Sequence, residues 1–282
     1  MKPQLFPMCI TAVLAALACH CATAQPEVMV NGVGGFTNTP MLPGGKWHVH
    51  DPARTQPPVV TPGTNFSQLA PAPSDAEVLF DGTSLSKWQK GNGQDAVWLI
   101  RDGYMETQRG GGIRTRERWA DFQLHLEWAT PSPPSGSGQG RGNSGVLING
   151  MYEVQVLDSY NALTYPDGQA AAIYGQHPPS VNASKPPGEW QTYDILFESP
   201  RWNDKGELIK KACVTVLHNG VVVQNHYEFL GATDGVGAVP WKSLSAYPKP
   251  HPPEVFIELQ DHNNPVRYRN IWIRTLKADR PD

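Results

Sequence analysis

The clearest pattern in the chain is an alternation of apolar and polar residues in two runs joined by Asn149-Gly150. This dipeptide is favoured in two-residue hairpins, because both central positions of a type I′ turn need positive φ. The pattern therefore predicts two antiparallel strands, at residues 145–148 and 151–157.

The second of these strands has one apolar and one polar face. Tyr152, Val154 and Val156 alternate with Glu153 and Gln155, and successive side chains of a strand point to opposite faces. We assign the apolar side to a hydrophobic core and the polar side to chemistry.

A two-residue turn also fixes which residues lie opposite each other across the hairpin. It pairs Ser144 with Gln155 and Val146 with Glu153. The pairing predicts that a hydroxyl, an amide and a carboxylate are collected on one surface of the sheet.

Short alternating runs with turn residues between them continue from about residue 76 to the end of the chain. Asp102-Gly103 and Asn219-Gly220 mark two further hairpins, and no stretch after residue 75 has apolar positions at helical spacing. Many short antiparallel strands predict an all-β sandwich or barrel. The other predicted strands span residues 97–101, 104–108, 122–128, 192–198, 212–218, 221–225, 255–262 and 266–276.

Two of these strands repeat the division into an apolar and a polar face, and none of the polar faces carries Lys or Arg. Solvated strands normally mix charges of both signs, whereas acids, amides and imidazoles suit the recognition of hydroxyl groups. We therefore predict a concave polar surface that binds saccharides, with a solvated outer face as the alternative. The polar residues are Gln123, His125 and Glu127 in one strand, and Glu258, Gln260 and His262 in the other.

Composition and net charge limit the classes of ligand that the protein is expected to bind. A formal net charge of −3 gives no electrostatic reason to expect nucleic acid or anionic lipid. Neutral or mildly polar ligands fit better, and the nine Trp and nine Tyr suit either sugar stacking or core packing.

The N-terminus has the parts of a cleavable secretory signal over residues 1–24: Lys2, an apolar run and Ala-Thr-Ala before Gln25. We expect a secreted or periplasmic protein with no membrane span after the signal. Cys19 raises lipoprotein anchoring as an alternative. Only Cys213 remains in the mature chain, which excludes an internal disulfide and suggests a buried thiol.

Residues 25–75 are rich in Pro, Gly and Thr and read as an arm with little regular structure, dispensable for folding of a domain at residues 76–278. His48 and His50 could present two imidazoles on one side, but an arm docked through Trp47 is the stronger interpretation. The long loops at residues 131–141 and 160–189 are expected to rim a site.

The motifs together resemble the 3-keto-disaccharide hydrolase domain family over nearly everything from residue 78 to 276. The resemblance implies a concanavalin A-like jelly roll of two antiparallel sheets. It also implies an extracytoplasmic enzyme that cleaves glycosides whose sugar has been oxidised to the 3-keto form. The matching motifs are Leu79-Phe80-Asp81-Gly82-Thr83-Ser84-Leu85 with Trp88, Asn143-Ser144-Gly145-Val146, Tyr152-Glu153-Val154-Gln155-Val156-Leu157-Asp158, Glu189-Trp190-Gln191-Thr192-Tyr193, His218-Asn219-Gly220-Val221 and Leu259-Gln260-Asp261-His262.

The implied substrate defines the chemistry that the site must supply. A ketone at C3 acidifies the C2 hydrogen, so a base can form an enolate that expels the C1 substituent, after which water adds. Glu153 and His262 are the candidate bases. The electrophile at O3 is either a hydrogen-bond donor, Gln260 or Asn143, or a divalent metal ion held by Glu153 and His262.

Further residues complete the candidate site and its alternatives. Asp158 joins Glu153 only if a bulge separates them, and Tyr174 and Trp190 are possible stacking platforms. A conventional two-carboxylate glycoside hydrolase and a non-catalytic carbohydrate-binding module remain alternatives. The residues assigned to substrate binding are Asn143, Ser144, Gln155, Glu127, His125, Glu258, Gln260, Asp158, Tyr174 and Trp190.

Overall fold

The structure is a computed structural model that describes residues 27–64, 66–233, 246–247 and 250–276. The predicted signal peptide at residues 1–24 therefore lies outside the described residues, as do residues 277–278 at the end of the predicted domain. Within the described ranges, no helix is long and apolar enough to cross a membrane.

The described residues form β-strands joined by turns and loops, with two single-turn 3-10 helices at Gly138–Gly140 and Pro166–Gly168. All paired strands run antiparallel, which confirms the predicted sandwich. The strands are β1 (Val28–Val30), β2 (Val33–Gly35), β3 (Glu77–Phe80), β4 (Trp88–Lys90), β5 (Leu99–Arg101), β6 (Tyr104–Glu106), β7 (Ile113–Thr115), β8 (Phe122–Ala129), β9 (Ser144–Ile148), β10 (Tyr152–Val156), β11 (Gln191–Glu198), β12 (Arg201–Trp202), β13 (Leu208–Lys210), β14 (Cys213–His218), β15 (Val221–Glu228), β16 (Ile257–Leu259) and β17 (Arg267–Thr275).

Two sheets make the jelly roll. The small sheet has five strands in the order β10-β9-β16-β7-β4, and the large sheet has eight, in the order β15-β14-β11-β8-β17-β6-β5 with β3 paired to β17. Neighbouring strands are often distant in sequence, because the chain crosses repeatedly from one sheet to the other, as a jelly roll requires.

The core lies between the two sheets and is built from the apolar faces that alternation predicts. Tyr152, Val154 and Val156 of β10 are fully buried, and the ring of Tyr152 packs 5.9 Å from that of Phe197 on β11. Burying such side chains stabilises the fold by about 1.5–3 kcal/mol each. The core face of β10 was predicted correctly.

The β9–β10 hairpin differs by one residue from the predicted two-residue turn. Asn149 and Gly150 both have positive φ, at 57° and 66°, but Tyr152 pairs with Ile148, so three residues connect the strands. The pairing that results brings Val146 opposite Val154. Two apolar residues thus face the core together. A register shifted by one residue would have placed the polar side chains of one strand in the core.

This register corrects the predicted cross-strand pairs. Glu153 lies opposite Leu147, Gln155 opposite Gly145, and Ser144 opposite Val156. The hydroxyl of Ser144 is therefore on the core side, and a glycine takes its expected place beside the polar residues of β10.

Strand β8 corrects a second expectation, that three polar strand faces form one surface. It belongs to the large sheet, between β11 and β17, whereas β10 and β16 belong to the small sheet. His125 and Glu127 therefore cannot share a face with Glu153. Alternation within a strand determines which residues share a side but not which sheet the strand joins.

The N-terminal arm is docked and partly regular. Residues 28–35 of the arm form the β1–β2 hairpin. Its anchors are the fully buried Val49 and His50 instead of Trp47, which is half-buried. The main chain of residues 58–60 is hydrogen-bonded to Asn182 on both sides. The expectation of little regular structure was thus only partly correct.

A second part of the arm covers the outer face of the large sheet. The N–H of Leu69 donates to the Glu127 carboxylate, and the Ser67 hydroxyl donates to Asp194 at 3.2 Å. Asp194 in turn pairs with His125 at 2.8 Å. The polar face of β8 is accordingly a docking surface for the arm.

Candidate active site

The candidate site lies on the outer face of the small sheet, opposite the core. A row of four side chains crosses this face in register: Glu153 on β10, Leu147 on β9, Glu258 on β16 and Arg114 on β7. Neighbouring strands are about 4.8 Å apart, so the backbones of Glu153 and Glu258 are separated by roughly 10 Å. The side chain of Leu147 stands between the two acids in this row.

Gly145 forms the floor under Glu153. A side chain at position 145 would collide with the Glu153 carboxylate, so the absence of a Cβ there lets this acid fold over the neighbouring strand. The glycine is thus required by a close approach of two groups.

Glu153 is buried without compensation. Glu153 is only 6% exposed. Among the described residues, its carboxylate accepts no hydrogen bond and pairs with no cation. Burial alone raises the pKa of the Glu153 carboxyl from 4.5 to about 8, because an ionised acid is poorly solvated there. A carboxyl with a pKa near neutrality is suited to proton transfer.

Two amide side chains close to Gly145 carry oxygens that lack partners in the described structure. The Oδ1 of Asn143 and the Oε1 of Gln260 are buried and accept no hydrogen bond. The backbone N–H of Gln260 donates to the Gly145 carbonyl at 3.0 Å, which places Gln260 next to the floor of the site. Buried amides normally have partners, so both groups are candidates to contact a ligand.

The Gln155 amide belongs to the same face but is fully engaged. Its Nε2 donates to Gln139 Oε1 at 3.0 Å, and Gln139 also accepts a hydrogen bond from Asn143 Nδ2 at 2.8 Å through its carbonyl. This network holds the 131–141 loop against the polar face of β10. It also fixes the orientation of the Asn143 side chain.

The 160–189 loop closes the site beside β10. The N–H of Tyr174 donates to the Glu153 carbonyl at 3.3 Å, and its hydroxyl lies 2.9 Å from that of Tyr165. Both phenols have a raised pKa through burial, so they are neutral. Tyr174 thus lies beside Glu153, and no contact with a described residue bears on its predicted role as a stacking platform.

His50 of the arm supports this wall. Its ring centroid lies 4.0 Å from that of Tyr165 and 4.9 Å from that of Tyr174, and its backbone N–H donates to the Asp167 carboxylate at 2.9 Å. Burial opposes the ionisation of Asp167, but the attraction of His50, its hydrogen bonds and Arg54 outweigh that effect and lower the pKa of this carboxyl. The arm therefore contributes to the cover over Glu153.

Glu258 differs from Glu153 in its surroundings. It is half-buried, and burial raises its pKa while the nearby Arg114 acts in the opposite direction. The site therefore contains one deeply buried and one partly solvated acid, which is an arrangement that separates proton-transfer roles.

Several predicted site residues lie elsewhere. His125 and Glu127 face the arm on the large sheet, and Trp190 lies on that side as well, with the Arg269 guanidinium 4.1 Å from its ring centroid. Glu127 accepts a hydrogen bond from Arg269 at 2.7 Å. These residues bind the arm and each other, and are not part of the surface around Glu153.

Three more are placed close to the site but outside its polar face. Ser144 donates to the Gln260 carbonyl at 2.6 Å from the core side. Asp158 accepts a hydrogen bond from Arg141 at 2.7 Å beyond the end of β10, whose register runs without a bulge. His262 lies beyond the end of β16 with an exposed side chain, and it makes no side-chain hydrogen bond or ion pair to any described residue.

These positions bear on the metal ion that the sequence leaves open. Within the described ranges, no three His, Cys, Asp or Glu side chains are grouped to hold a metal. The Glu153 carboxylate and the amide oxygens of Asn143 and Gln260, however, are the oxygen ligands that a hard divalent ion accepts. Such an ion would bind these three groups instead of His262, and would supply a Lewis acid to the sugar carbonyl.

The structure adds residues that the sequence did not single out for this site. Gly145 and Arg114 are positioned by the strand register. Gln139 is positioned by a loop whose sequence shows no alternation of apolar and polar residues. His50 was noticed in the sequence, but nothing there connected it to Glu153.

Cys213 is buried with a pKa raised by burial to about 11, which agrees with its predicted inert role.

Comparison with known proteins agrees with this architecture. Residues 75–274 match the family model described as a 3-keto-alpha-glucoside-1,2-lyase-like domain. A 3-keto-disaccharide hydrolase of Bacteroides thetaiotaomicron is 25% identical over 259 residues, covering 72% of this chain and 80% of that protein.

Two crystal structures from Parabacteroides distasonis ATCC 8503, both described as candidate glycosyl hydrolases, are also similar. The first is 41% identical with a TM-score of 0.68, covering 84% of this chain and 100% of the other. The second is 20% identical with a TM-score of 0.52, covering 72% and 94% of the two chains, and it supports the fold alone.

Proposed function

Because the chain belongs to the 3-keto-alpha-glucoside-1,2-lyase-like domain family, which is glycosyl hydrolase-like, we propose that it cleaves glycosides whose sugar carries a ketone at C3. The observation that carries this proposal is Glu153, a buried carboxyl that accepts no hydrogen bond from any described residue and whose pKa burial raises to about 8. Such a group is a poor structural element but an effective base for a C–H acid.

In the proposed reaction, Glu153 removes the proton from C2 of the 3-keto sugar. The electrons form an enolate whose negative charge rests on O3, and the enolate then expels the C1 substituent with its oxygen. Water adds to the resulting unsaturated ketone, returning the sugar to the 3-keto form. The net change is hydrolysis of the glycosidic bond.

Two other side chains have complementary roles. The Gln260 amide has no hydrogen bond to a described residue, so its N–H groups are available to O3 as negative charge develops. Glu258, on the other side of Leu147 in the same row, is the proposed proton donor to the leaving oxygen, and burial raises its pKa in the direction that favours this role. His262 is not needed in this scheme.

The first test compares a 3-keto-glucoside with the unoxidised glucoside. We expect turnover of the keto compound only, and Glu153→Gln should lower it by roughly 10²–10⁴-fold, the usual contribution of a general base. Because the base must be ionised, kcat/KM should rise with pH over the range below about 8. A loss of only a few-fold would remove Glu153 from the mechanism.

The second test follows the C2 hydrogen. A 3-keto-glucoside deuterated at C2 should lose its deuterium to ordinary water during turnover, because elimination breaks that bond. Product that retains the label fully would exclude elimination.

A two-carboxylate hydrolase is the second candidate, favoured by one observation: Glu153 and Glu258 lie in one row, two strands apart. Inverting glycosidases separate their carboxyls by about 6.5–9.5 Å to admit a water molecule. Turnover of the unoxidised glucoside with retention of the C2 label would support this reading instead. Binding of both compounds without turnover would indicate a carbohydrate-binding module.

We also propose that the protein acts outside the cytoplasm. Support comes from the charged residue, apolar run and Ala-Thr-Ala sequence before Gln25. Sequencing the N-terminus of protein recovered from cell fractions should give a chain beginning near Gln25 outside the cytoplasm. An intact Met1 in the cytoplasmic fraction would contradict the proposal.

A further inference from the structure

Three neighbouring clefts on the protein surface share lining residues. The central cleft, of about 580 Å³, shares Pro265 with a cleft of about 390 Å³ and Glu189 with a cleft of about 270 Å³. A residue that lines two clefts lies between them, so the three clefts are continuous and form one long groove. Its walls include residues 59–64 of the arm, 107–109, 131–132, 184–189 and 263–265.

The central cleft contains a cation that aromatic rings hold in place. The half-buried Arg267 places its guanidinium 5.5 Å from the ring centroid of Tyr104 and 5.3 Å from that of Trp190. Its Nη2 donates a hydrogen bond to the Gly188 carbonyl at 3.1 Å, and it forms no ion pair with any carboxylate that the structure describes. Because a guanidinium has five N–H donors, most of them are left for a ligand in the cleft.

Each of the other two clefts contributes one further cation without a described carboxylate partner. The exposed Arg109 lines the cleft of about 390 Å³, and the half-buried Lys185 lines the cleft of about 270 Å³. Position 109 is three residues beyond Glu106, which lies opposite Arg267 in the β6–β17 register. Lys185 is three residues before Gly188, which Arg267 contacts. At ~3.3 Å for each extended residue, at most about 10 Å of chain separates each outer cation from these contacts of Arg267.

An acid and hydroxyl groups line the long groove between these cations. Glu189 lies where the central cleft meets the arm-side cleft, and its exposed carboxylate makes no hydrogen bond or ion pair with a described residue. Ser132 and Thr61 add hydroxyl groups. A carboxylate accepts hydrogen bonds from hydroxyl groups but repels phosphates and other acids. The lining therefore fits a chain that carries both anionic groups and hydroxyls better than a nucleic acid or an acidic peptide.

We propose that the long groove binds an acidic polysaccharide, whose carboxylates pair with Arg109, Arg267 and Lys185 while its hydroxyl groups donate to Glu189. Arg267 is the central contact, because a guanidinium held between two rings is preorganised to bind a carboxylate through two parallel hydrogen bonds. The net charge of −3 describes the whole chain and does not exclude a local cluster of cations. The binding is independent of the proposed function, since none of these residues belongs to the row that contains Glu153.

The test measures binding to the full chain by isothermal titration calorimetry at low ionic strength. The probes are an oligogalacturonate long enough to span the three clefts and a neutral galacto-oligosaccharide of the same length. Arg109→Ala, Lys185→Ala and Arg267→Ala should each weaken binding of the acidic probe roughly tenfold, as expected when a hydrogen bond to a charged group is lost. Added salt should weaken it as well. Lys205→Ala, which removes an exposed cation outside the groove, is the matched control and should leave the affinity unchanged.

The two outer cations keep the proposal testable if Arg267→Ala disturbs the packing of the rings around it. Failure to bind the oligogalacturonate, equal affinity for the neutral probe, or an affinity that Arg109→Ala and Lys185→Ala leave unchanged would overturn the proposal. Polyglutamate of equal charge serves as the comparison with an acidic protein. If it binds as tightly as the oligogalacturonate and the same substitutions weaken its binding, the assignment to a saccharide is wrong. Tighter binding of the oligogalacturonate than of both comparison probes, lost in the groove variants alone, would support it.

Discussion

The uncompensated burial of Glu153 predicts that removing its charge stabilises the protein, by an amount that depends on pH. Glu153→Gln keeps the shape of the side chain but abolishes ionisation. The difference between a pKa of 4.5 and one of about 8 corresponds to roughly 5 kcal/mol, at ~1.36 kcal/mol for each pH unit. This is the free energy that ionising the buried acid takes from folding.

The sign follows from proton binding. Below about pH 4.5 the carboxyl is protonated in both the folded and the unfolded chain, so the acid carries no cost. As the pH rises towards 8, the unfolded state has lost the proton that the folded state retains, and wild-type stability falls. Relative to wild type, Glu153→Gln should gain little at pH 4, about 3 kcal/mol at pH 7 and about 5 kcal/mol above pH 8.

Denaturant unfolding of both proteins at these three pH values measures the effect. The difference between variant and wild type removes contributions from other titrating groups, and Glu254→Gln, at an exposed position, serves as the control with no expected change. A variant that is less stable than wild type at pH 9, or a difference that does not depend on pH, would refute the argument. It would mean that Glu153 has a solvated or paired environment.

Three further predictions follow from the same structure. Gly145→Ala should leave the fold intact but lower kcat by about 10²-fold, because the new methyl group displaces the Glu153 carboxylate and a displacement of ~1 Å at a catalytic group has that effect. Activity assays test this, with Gly91→Ala, at a position with open space around it, as the control variant. Contrary to the expectation from the sequence, a chain that starts at residue 76 should be markedly less stable in thermal unfolding, because it loses the arm's hydrogen bonds to Asp194, Glu127 and Asp167; unchanged stability would refute this. If a divalent ion is bound by oxygen ligands, chelation should abolish turnover in wild type and His262→Ala alike, and elemental analysis should find the metal in both; loss of metal in His262→Ala alone would restore His262 as a ligand.

Local pattern predicted what lies within a strand. The alternation over residues 151–157 correctly separated the core face of β10 from its polar face, and Asn149-Gly150 correctly marked the turn. The pairing across the turn was wrong by one residue, because dipeptide identity constrains φ but not the length of the connection. Matching Val146 with Val154 in the core would have selected the right register.

The pattern within a strand could not predict which sheet that strand joins. Strands β8 and β10 have the same alternation of polar and apolar residues, yet one faces the arm and the other the candidate site, because they lie in different sheets. What distinguishes them is their partners. Glu127 is matched by Arg269 at 2.7 Å, whereas Glu153 has no described cation beside it, and such pairs join residues more than a hundred positions apart.

The segments with the least pattern determine the chemistry of the site. A Glu153 side chain on an open sheet face would be solvated and would have an ordinary pKa, too low for an effective base towards a C–H acid. Tyr174, in a loop, donates its N–H to the Glu153 carbonyl. His50, in an arm that shows no strand periodicity over most of its length, packs against Tyr174. The regular sandwich supplies the position of the carboxylate, but the irregular cover supplies its reactivity. Substitutions in the cover should therefore shift the pH dependence of turnover before they change the fold.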